Sequence, residues 1–451
     1  MGILFGTDGI RGVANTYPIT CEVALKTGRA IGIHLKESGY HKVIIGKDTR
    51  ISGDMLESAL AAGVSSTGMD VMLAGVIPTP GVAYLCSSLK DAGAGIVISA
   101  SHNPYQDNGI KIFNHGGKKL TDEQEDWIED YILNNQTVPH GNVGQISVIS
   151  DSLKQYSDFL LDGFSFKKYD KKLKLIIDCS NGAASQIVHR VFNDTLFDAQ
   201  FIYDSPDGKN INDGCGSQHT QELQRLVIKE NADIGLAFDG DADRLIAVDE
   251  NGNQVTGDGI LAVCAKFAKE KGALTKNIVV STVMSNIGLT KALDGIGISH
   301  IKSDVGDRKV LEAMKQSGAV MGGEDSGHMI FWDHHTTGDG ILSALKLLEV
   351  MQETDQSLSS LASVITVYPQ ILMNVGVDAS RPDFMKIKPV ADTIQSVEDK
   401  LGDKGRVLIR YSGTQPLLRV MVEGPDQELT TNYCLKICQS IKNNISNKKE
   451  Y

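Results

Sequence analysis

Three aspartates fall at alternate positions within five residues of the run Asp239-Gly240-Asp241-Ala242-Asp243-Arg244. Carboxylates this close repel one another unless a cation neutralises them, so the spacing points to a hard divalent ion. Mg2+ keeps few protein oxygens and completes its shell with water or phosphate, which suits three monodentate aspartates. An EF-hand would use the same three residues and Glu250, but its sixth position needs glycine and holds Arg244. A solvated acidic turn is the bland alternative. The chemical rival is an aspartyl-phosphate phosphatase with Asp239 as nucleophile.

Other segments carry complementary chemistry. The run Ser101-His102-Asn103-Pro104, followed by Asp107 to Lys111, comes directly after the apolar stretch AGIVISA. Pro104 forces Asn103 out of helical geometry, so the chain turns sharply at the carboxyl end of a strand, where α/β proteins place ligand sites. Gly322-Gly323-Glu324-Asp325-Ser326-Gly327-His328 combines a carboxylate, a hydroxyl and an imidazole, groups that recognise sugar hydroxyls and move a proton. His334 and His335 are adjacent and diverge in direction, which argues against zinc. Arg410-Tyr411-Ser412-Gly413-Thr414, then Pro416 and Arg419, offers guanidinium, hydroxyl and glycine-freed backbone for a phosphate, although Ser-Gly-Thr is also ordinary turn chemistry. Neither a Walker loop nor a dinucleotide fingerprint is present, so ATP and NAD are not implied.

The elements that must hold these groups read as α/β. Short β-branched runs at Lys42, Ala94, Leu173, Ala232 and Ile278 alternate with helical patterns, as in parallel sheets with helical crossovers. After Val367 the texture becomes strand, helix, paired strands, helix: a smaller α+β domain. Val71 to Leu89 is uncharged for almost a membrane-spanning length, but Pro78 and Pro80 mark it as strand plus turn. The hexapeptide TGDGIL occurs at Thr256 to Leu261 and again at Thr337 to Leu342, each time opening an apolar helix; duplication and simple capping both account for it. Length predicts about three domains, and the three α/β units with the smaller C-terminal domain set expected boundaries at 1–150, 151–252, 253–368 and 369–451.

Composition narrows the partners. Lys plus Arg number 44 against 56 Asp plus Glu, a net charge of −12 that disfavours nucleic acid while leaving an anionic small substrate open. Seven scattered cysteines without a Cys-x-x-Cys pair, and no secretory signal or transmembrane stretch, predict a cytoplasmic protein with no membrane partner.

Taken in order, FGTDGIRG (Phe5 to Gly12), GKDTRISG (Gly46 to Gly53), ISASHNPYQDNGIK (Ile98 to Lys111), DGDADR, GGEDSGH, TTGDG (Thr336 to Gly340) and RYSGTQPLLRVMVEG (Arg410 to Gly424) resemble the α-D-phosphohexomutase family along nearly the whole chain. The Ile-Ser-Ala lead-in and TTGDG are more similar to its glucosamine branch than to its phosphoglucomutase or phosphomannomutase branches. The resemblance implies three related α/β domains and a distinct C-terminal one around a central cleft. It also implies that Ser101 is carried as phosphoserine, with Asp239, Asp241 and Asp243 and that phosphate holding one Mg2+. Arg11, Lys111 and His328 would line the reacting centre, Lys111 or His328 serving as base. His102, Arg244, Glu324 and Ser326 would bind substrate. Arg410, Ser412, Gly413, Thr414 and Arg419 would grip the non-reacting phosphate. Where the family's loop usually reads Ser-Gly-Thr-Glu-Pro, Gln415 replaces the acid. The expected activity is reversible conversion of glucosamine 6-phosphate to glucosamine 1-phosphate through a 1,6-bisphosphate that also serves as activator, in an enzyme whose C-terminal domain closes like a lid. A glucose or mannose phosphate substrate, the phosphatase, and a non-catalytic sugar-phosphate or cation binder stay as alternatives. The sequence does not fix whether the protein is a homodimer.

Overall fold

The computed structural model describes residues 3–6, 8–36, 38–134, 140–166, 172–193, 195–377, 380–412 and 417–445. The chain divides into two compact units, Met1–Met284 with Ile298–Val364, and Ser285–Gly297 with Ile365–Tyr451.

Among its described residues the first unit carries three sheets. The first has seven strands in the spatial order Phe5–Gly6, Gly9–Val13, Asp107–Asn114, Ala92–Ile98, Lys42–Lys47, Asp70–Val76, Ile146–Val148. Five follow in the second: Gln254–Val255, Leu245–Asp249, Ile234–Phe238, Lys174–Asp178, Asp198–Ile202. The third has four: Ser299–Ser303, Ile278–Thr282, Met321–Gly323, Met329–Phe331. Each has a parallel core and an antiparallel limb. The change of direction falls between Ala92–Ile98 and Asp107–Asn114, between Ile234–Phe238 and Leu245–Asp249, and between Met321–Gly323 and Met329–Phe331. The three connections at these changes are the serine, aspartate and GEDSGH runs. Each chemistry-bearing loop is thus short and pinned at both ends by paired strands.

Burial explains the apolar strands. All seven residues of Ala92–Ile98 and all five of Ile234–Phe238 are buried, as in sheets covered on both faces, so these strands read as continuous rather than alternating. Helices Cys21–Lys36 and Gly53–Ser65 cover the first sheet through a core that includes Ile31, Leu56, Leu60, Val64, Ile96 and Ile112. Pro78 and Pro80 behave differently from the turn expected of them. They open the helix Thr79–Ser88, where the fixed φ of proline and its missing N–H cost nothing in the first turn.

The second unit is a three-stranded antiparallel sheet, Gln370–Gly376, Leu417–Glu423, Arg406–Tyr411, backed by helices Lys388–Leu401 and Gln427–Ile445. Helix Ile287–Gly295 belongs to it as well: the buried Glu423 accepts the Ile287 N–H at 3.1 Å, and the Asn286 amide donates to Tyr368 O at 2.8 Å.

Candidate active site

Ser101 stands directly beyond the strand Ala92–Ile98, 1% exposed, with φ of +52°. A left-handed serine is sterically costly and persists only where its surroundings hold it. Its N–H donates to Ser99 Oγ at 2.9 Å, and Ser99 Oγ donates to Asp48 Oδ2 at 2.6 Å. Arg50, its side chain wholly buried, pairs with Asp48 at 2.9 Å and donates to the carbonyls of Ser101 (2.9 Å), Asn103 (2.8 Å), Pro104 and Asp107 (3.0 Å). That scaffold aims Ser101 Oγ at Asp239 Oδ2, to which it donates at 2.6 Å. His102 Nδ1 lies 3.4 Å from Ser101 Oγ and 3.1 Å from Arg244 Nη1. Burial, reinforced by Arg244 and Arg11, lowers this imidazole to about 4, so it is neutral.

Asp239, Asp241 and Asp243 are buried, and one carboxylate oxygen from each lies within 4.8 Å of the others. Lys111, 2% exposed, reaches Asp241 Oδ2 at 2.7 Å, Asp243 Oδ2 at 3.3 Å and Asp8 Oδ2 at 3.2 Å. The opposite oxygens, Asp241 Oδ1 and Asp243 Oδ1, are buried without a hydrogen-bond partner. Buried acceptors are ordinarily satisfied, and here Asp243 Oδ1 faces only the more distant His328 Nδ1 at 3.5 Å and Arg244 Nε at 3.8 Å, so a converging all-oxygen set is left that a hard cation would complete. Burial pushes Asp239 well above the usual carboxylate range, with Asp243 and Asp241 adding to the effect. Burial acts on Asp243 in the same direction, but Lys111 and then His328 outweigh it and hold that carboxyl low.

The GEDSGH loop meets the aspartate loop directly, since Leu245 N–H donates to Gly327 O at 3.1 Å. His328 lies between two carboxylates, its Nδ1 3.5 Å from Asp243 Oδ1 and its Nε2 3.5 Å from Asp307 Oδ2. Burial alone would lower the imidazole, but Asp243 and Asp307 raise it above its ordinary value. Lys119 bridges Asp307 to Asp8, and Asp8 pairs with Arg11. Arg11, Lys111, His328 and the three aspartates therefore form one continuous charge network. Glu324 and Ser326 are half-buried at the mouth of their loop, and Glu324 Oε1 accepts the Gly306 N–H at 3.1 Å.

In the second unit Arg410 and Arg419 are directly opposed on neighbouring antiparallel strands, both half-buried. Ser412, beside them, is 2% exposed, and its Oγ has no hydrogen-bond partner among the described residues. Gly413, Thr414 and Gln415 lie outside the described residues.

Several groups at the site had no role assigned from sequence. Asp8 and Arg50 stand inside runs whose composition is distinctive, FGTDGIRG and GKDTRISG, and could have been found there. Thr79 donates through its hydroxyl to Asp241 Oδ2 and through its N–H to Asp241 O at 3.0 Å. Lys119, Asp307 and Asn212 reach the site only through tertiary contacts and carry no local signal.

Models of the phosphoglucomutase/phosphomannomutase family match the chain in order: alpha/beta/alpha domain I at residues 2–138, domain II at 154–252, domain III at 256–368 and the C-terminal domain at 372–440. A phosphoglucosamine mutase of Desulforapulum autotrophicum is 60% identical, covering 98% of this chain and 99% of its own. Among solved structures, a phosphoglucomutase/phosphomannomutase family protein from Burkholderia thailandensis superposes with a TM-score of 0.81 at 23% identity over 98% of both chains. Aspergillus fumigatus N-acetylphosphoglucosamine mutase, in complex with GlcNAc-6P and magnesium, gives 0.68 at 17% identity over 98% of this chain and 96% of its own. At such identities the two structures show a shared fold.

Proposed function

The chain belongs to the phosphoglucomutase/phosphomannomutase family, the α-D-phosphohexomutases, and is an isomerase; from that premise we propose that it interconverts glucosamine 6-phosphate and glucosamine 1-phosphate. The high identity to a relative named for the glucosamine reaction, end to end, supports this substrate over glucose or mannose phosphates.

In the proposed cycle Ser101 is carried as phosphoserine. The bond from phosphorus to Ser101 Oγ breaks as one forms to O1 of glucosamine 6-phosphate, giving the 1,6-bisphosphate, and the O1 proton passes to the freed Ser101 Oγ. After the sugar turns end for end, Ser101 Oγ attacks the 6-phosphoryl group and gives up that proton, which ends on O6 as glucosamine 1-phosphate leaves. Phosphoryl transfer rests mainly on alignment and charge neutralisation. Asp239, Asp241, Asp243 and a phosphoryl oxygen on Ser101 would hold Mg2+, which when bound supplies neutralising charge to the group in flight. Asp239 Oδ2, 2.6 Å from Ser101 Oγ, accepts the serine proton when Ser101 is rephosphorylated. Lys111 and Arg244 flank the triad, while Asp8 ties Lys111 to Arg11. Burial lowers both His328 and Lys111, but the carboxylates that would hold the ion outweigh it and raise them, so either can stabilise phosphoryl charge as a cation or exchange a proton with the sugar hydroxyl. Arg410 and Arg419, with Ser412, hold the phosphate that does not react.

The observation that carries the reading is the buried Ser101 hydroxyl aligned on a buried triad of converging carboxylates, with Asp241 Oδ1 left without a hydrogen bond. The phosphatase alternative fares worse: both oxygens of Asp239 are engaged, Oδ2 by Ser101 and Oδ1 by the Arg244 N–H at 3.2 Å. Intact and peptide mass spectrometry after incubation with Mg2+ and glucosamine 1,6-bisphosphate tests it. Exchangeable phosphate on Ser101, with isomerisation and no inorganic phosphate release, is expected. A hydroxylamine-labile phosphate on Asp239 instead would overturn the cycle.

A further inference from the structure

The serine and its acidic partner belong to different sheets, and something must register one against the other. Ser101 follows a strand of the first sheet and Asp239 a strand of the second. Arg50, the main support of the serine loop, also comes from the first sheet and so fixes the loop only within its own domain. The Asn212 amide comes from the opposite side. Its Nδ2 donates to Ser101 O at 2.9 Å and to Asn103 O at 3.0 Å, the same two carbonyls that Arg50 Nη2 holds. Asn212 is itself anchored to the aspartate side: its N–H donates to Ser180 O at 2.9 Å, and Asp178, ending the strand Lys174–Asp178, accepts the Ser180 N–H at 2.8 Å. No slack is left around the contact. A Cβ on Gly240, beside Asp239, would meet Ser101 O at 2.5 Å and Asn212 Nδ2 at 2.8 Å.

We propose that Asn212 is a positioning residue for phosphoryl transfer, setting the distance and angle between Ser101 Oγ and the aspartate loop across the two sheets. The residue type is dictated twice. Its φ of +58° is one that asparagine tolerates better than most side chains, and its amide nitrogen carries the two N–H groups needed to serve both carbonyls. The hydrogen bonds of Asn212 go to Ser101, Asn103 and Ser180 and not to the three aspartates, so it acts through Ser101. The inference rests on the phosphoserine cycle proposed above.

Two substitutions separate registration from folding. Asn212→Gly keeps the left-handed backbone and deletes the amide; Asn212→Asp keeps the shape but turns an acceptor against two carbonyls. Asn231→Gly, at a left-handed residue capping the helix Gln221–Glu230, reports what an Asn-to-Gly change costs the fold alone. The readout is the rate at which dephosphorylated Ser101 takes phosphate from glucosamine 1,6-bisphosphate with Mg2+, followed by intact mass, beside kcat, KM and melting temperature. Asn212→Gly is expected to slow transfer and kcat about 10²-fold, the scale of a small misplacement of reacting groups, with KM unchanged. Asn212→Asp should be slower still, and the melting temperature of Asn212→Gly should fall no further than that of Asn231→Gly. Wild-type transfer rates in both Asn212 variants, or a loss confined to KM, would overturn the assignment. Wild-type protein that takes up no phosphate on Ser101 would overturn the cycle itself, a distinguishable failure.

Discussion

The two TGDGIL runs share six residues and begin their helices at different ones. In the first, Thr256 precedes a helix that starts at Gly257, its side chain makes no capping bond, and Asp258 falls in the first turn. In the second the helix starts at Gly340 and Asp339 is the cap, accepting the Leu342 N–H at 2.9 Å on Oδ1 and the buried Tyr156 hydroxyl at 2.7 Å on Oδ2. The first helix is capped from outside, by Asp325, whose carbonyl accepts the Gly257 N–H at 3.0 Å and whose carboxylate accepts the Asp258 N–H at 3.4 Å. Identical local sequence thus leaves the start of a helix undecided within two residues, and tertiary partners select it. What the copies do share is a target. A Cβ on Gly257 would stand 2.1 Å from Glu324 O, and one on Gly338 would stand 2.3 Å from His328 Nε2. The two runs close on the GEDSGH loop from two sides, through glycines needed for closeness.

The sharpest way to break that symmetry is to add one methyl group to each copy. Gly338→Ala drives a side chain into the His328 imidazole, so kcat should fall about 10²-fold with a smaller change in KM. Gly257→Ala meets backbone instead, so it should raise KM for the sugar phosphate and cost about 1–3 kcal/mol of stability, the usual range for overpacking. Steady-state kinetics with thermal melts on both variants would show the split. Equal effects on kcat would mean that the loop moves as one body and that the copies are interchangeable.

The second copy alone is preceded by a buried histidine. His335 Nε2 donates to Pro80 O at 2.9 Å and Nδ1 accepts the Thr336 N–H at 2.7 Å, so neither nitrogen has room for another proton. Burial lowers the imidazole from 6.5 to about 4. Between those values the unfolded chain binds a proton that the folded chain refuses. The associated stability is complete above pH 6.5 and is lost as pH falls, about 2 kcal/mol by pH 5. Denaturation of wild type and His335→Gln at pH 7.5 and pH 5 checks it: the variant should show a shallower loss over that interval. Equal losses would remove His335 as the distinguishing group.

Legibility from sequence followed the same division between local and tertiary control. The alternation of strand and helix, the aspartate spacing and the strand-to-turn entry at Ser101 are local and could be read directly. Pro78 and Pro80 carried a local signal, yet proline marks a turn and the first turn of a helix equally well, and packing decided for the helix. Arg50 and Asp8 were visible as motif members, but their work is on carbonyls and charges far along the chain. Asn212, Lys119 and Asp307 leave no trace in local pattern, because each acts through a group far along the chain, Asn212 on Ser101 O and Lys119 on Asp307.

The smallest predicted effect bears most directly on how the two helices start. If Asp339 is a true cap and Thr256 is not, removing each side chain should have unequal consequences. Measured in a Tyr156→Phe background, so that no buried hydroxyl loses its acceptor, Asp339→Ala should cost about 1 kcal/mol, the ordinary worth of an N-cap. Thr256→Ala should stay within about 0.5 kcal/mol of wild type, since its helix takes its cap from Asp325. Chemical denaturation resolves a difference of that size. An equal cost for the two would mean that Thr256 contributes a cap the geometry does not contain, and that the copies start their helices by the same device after all.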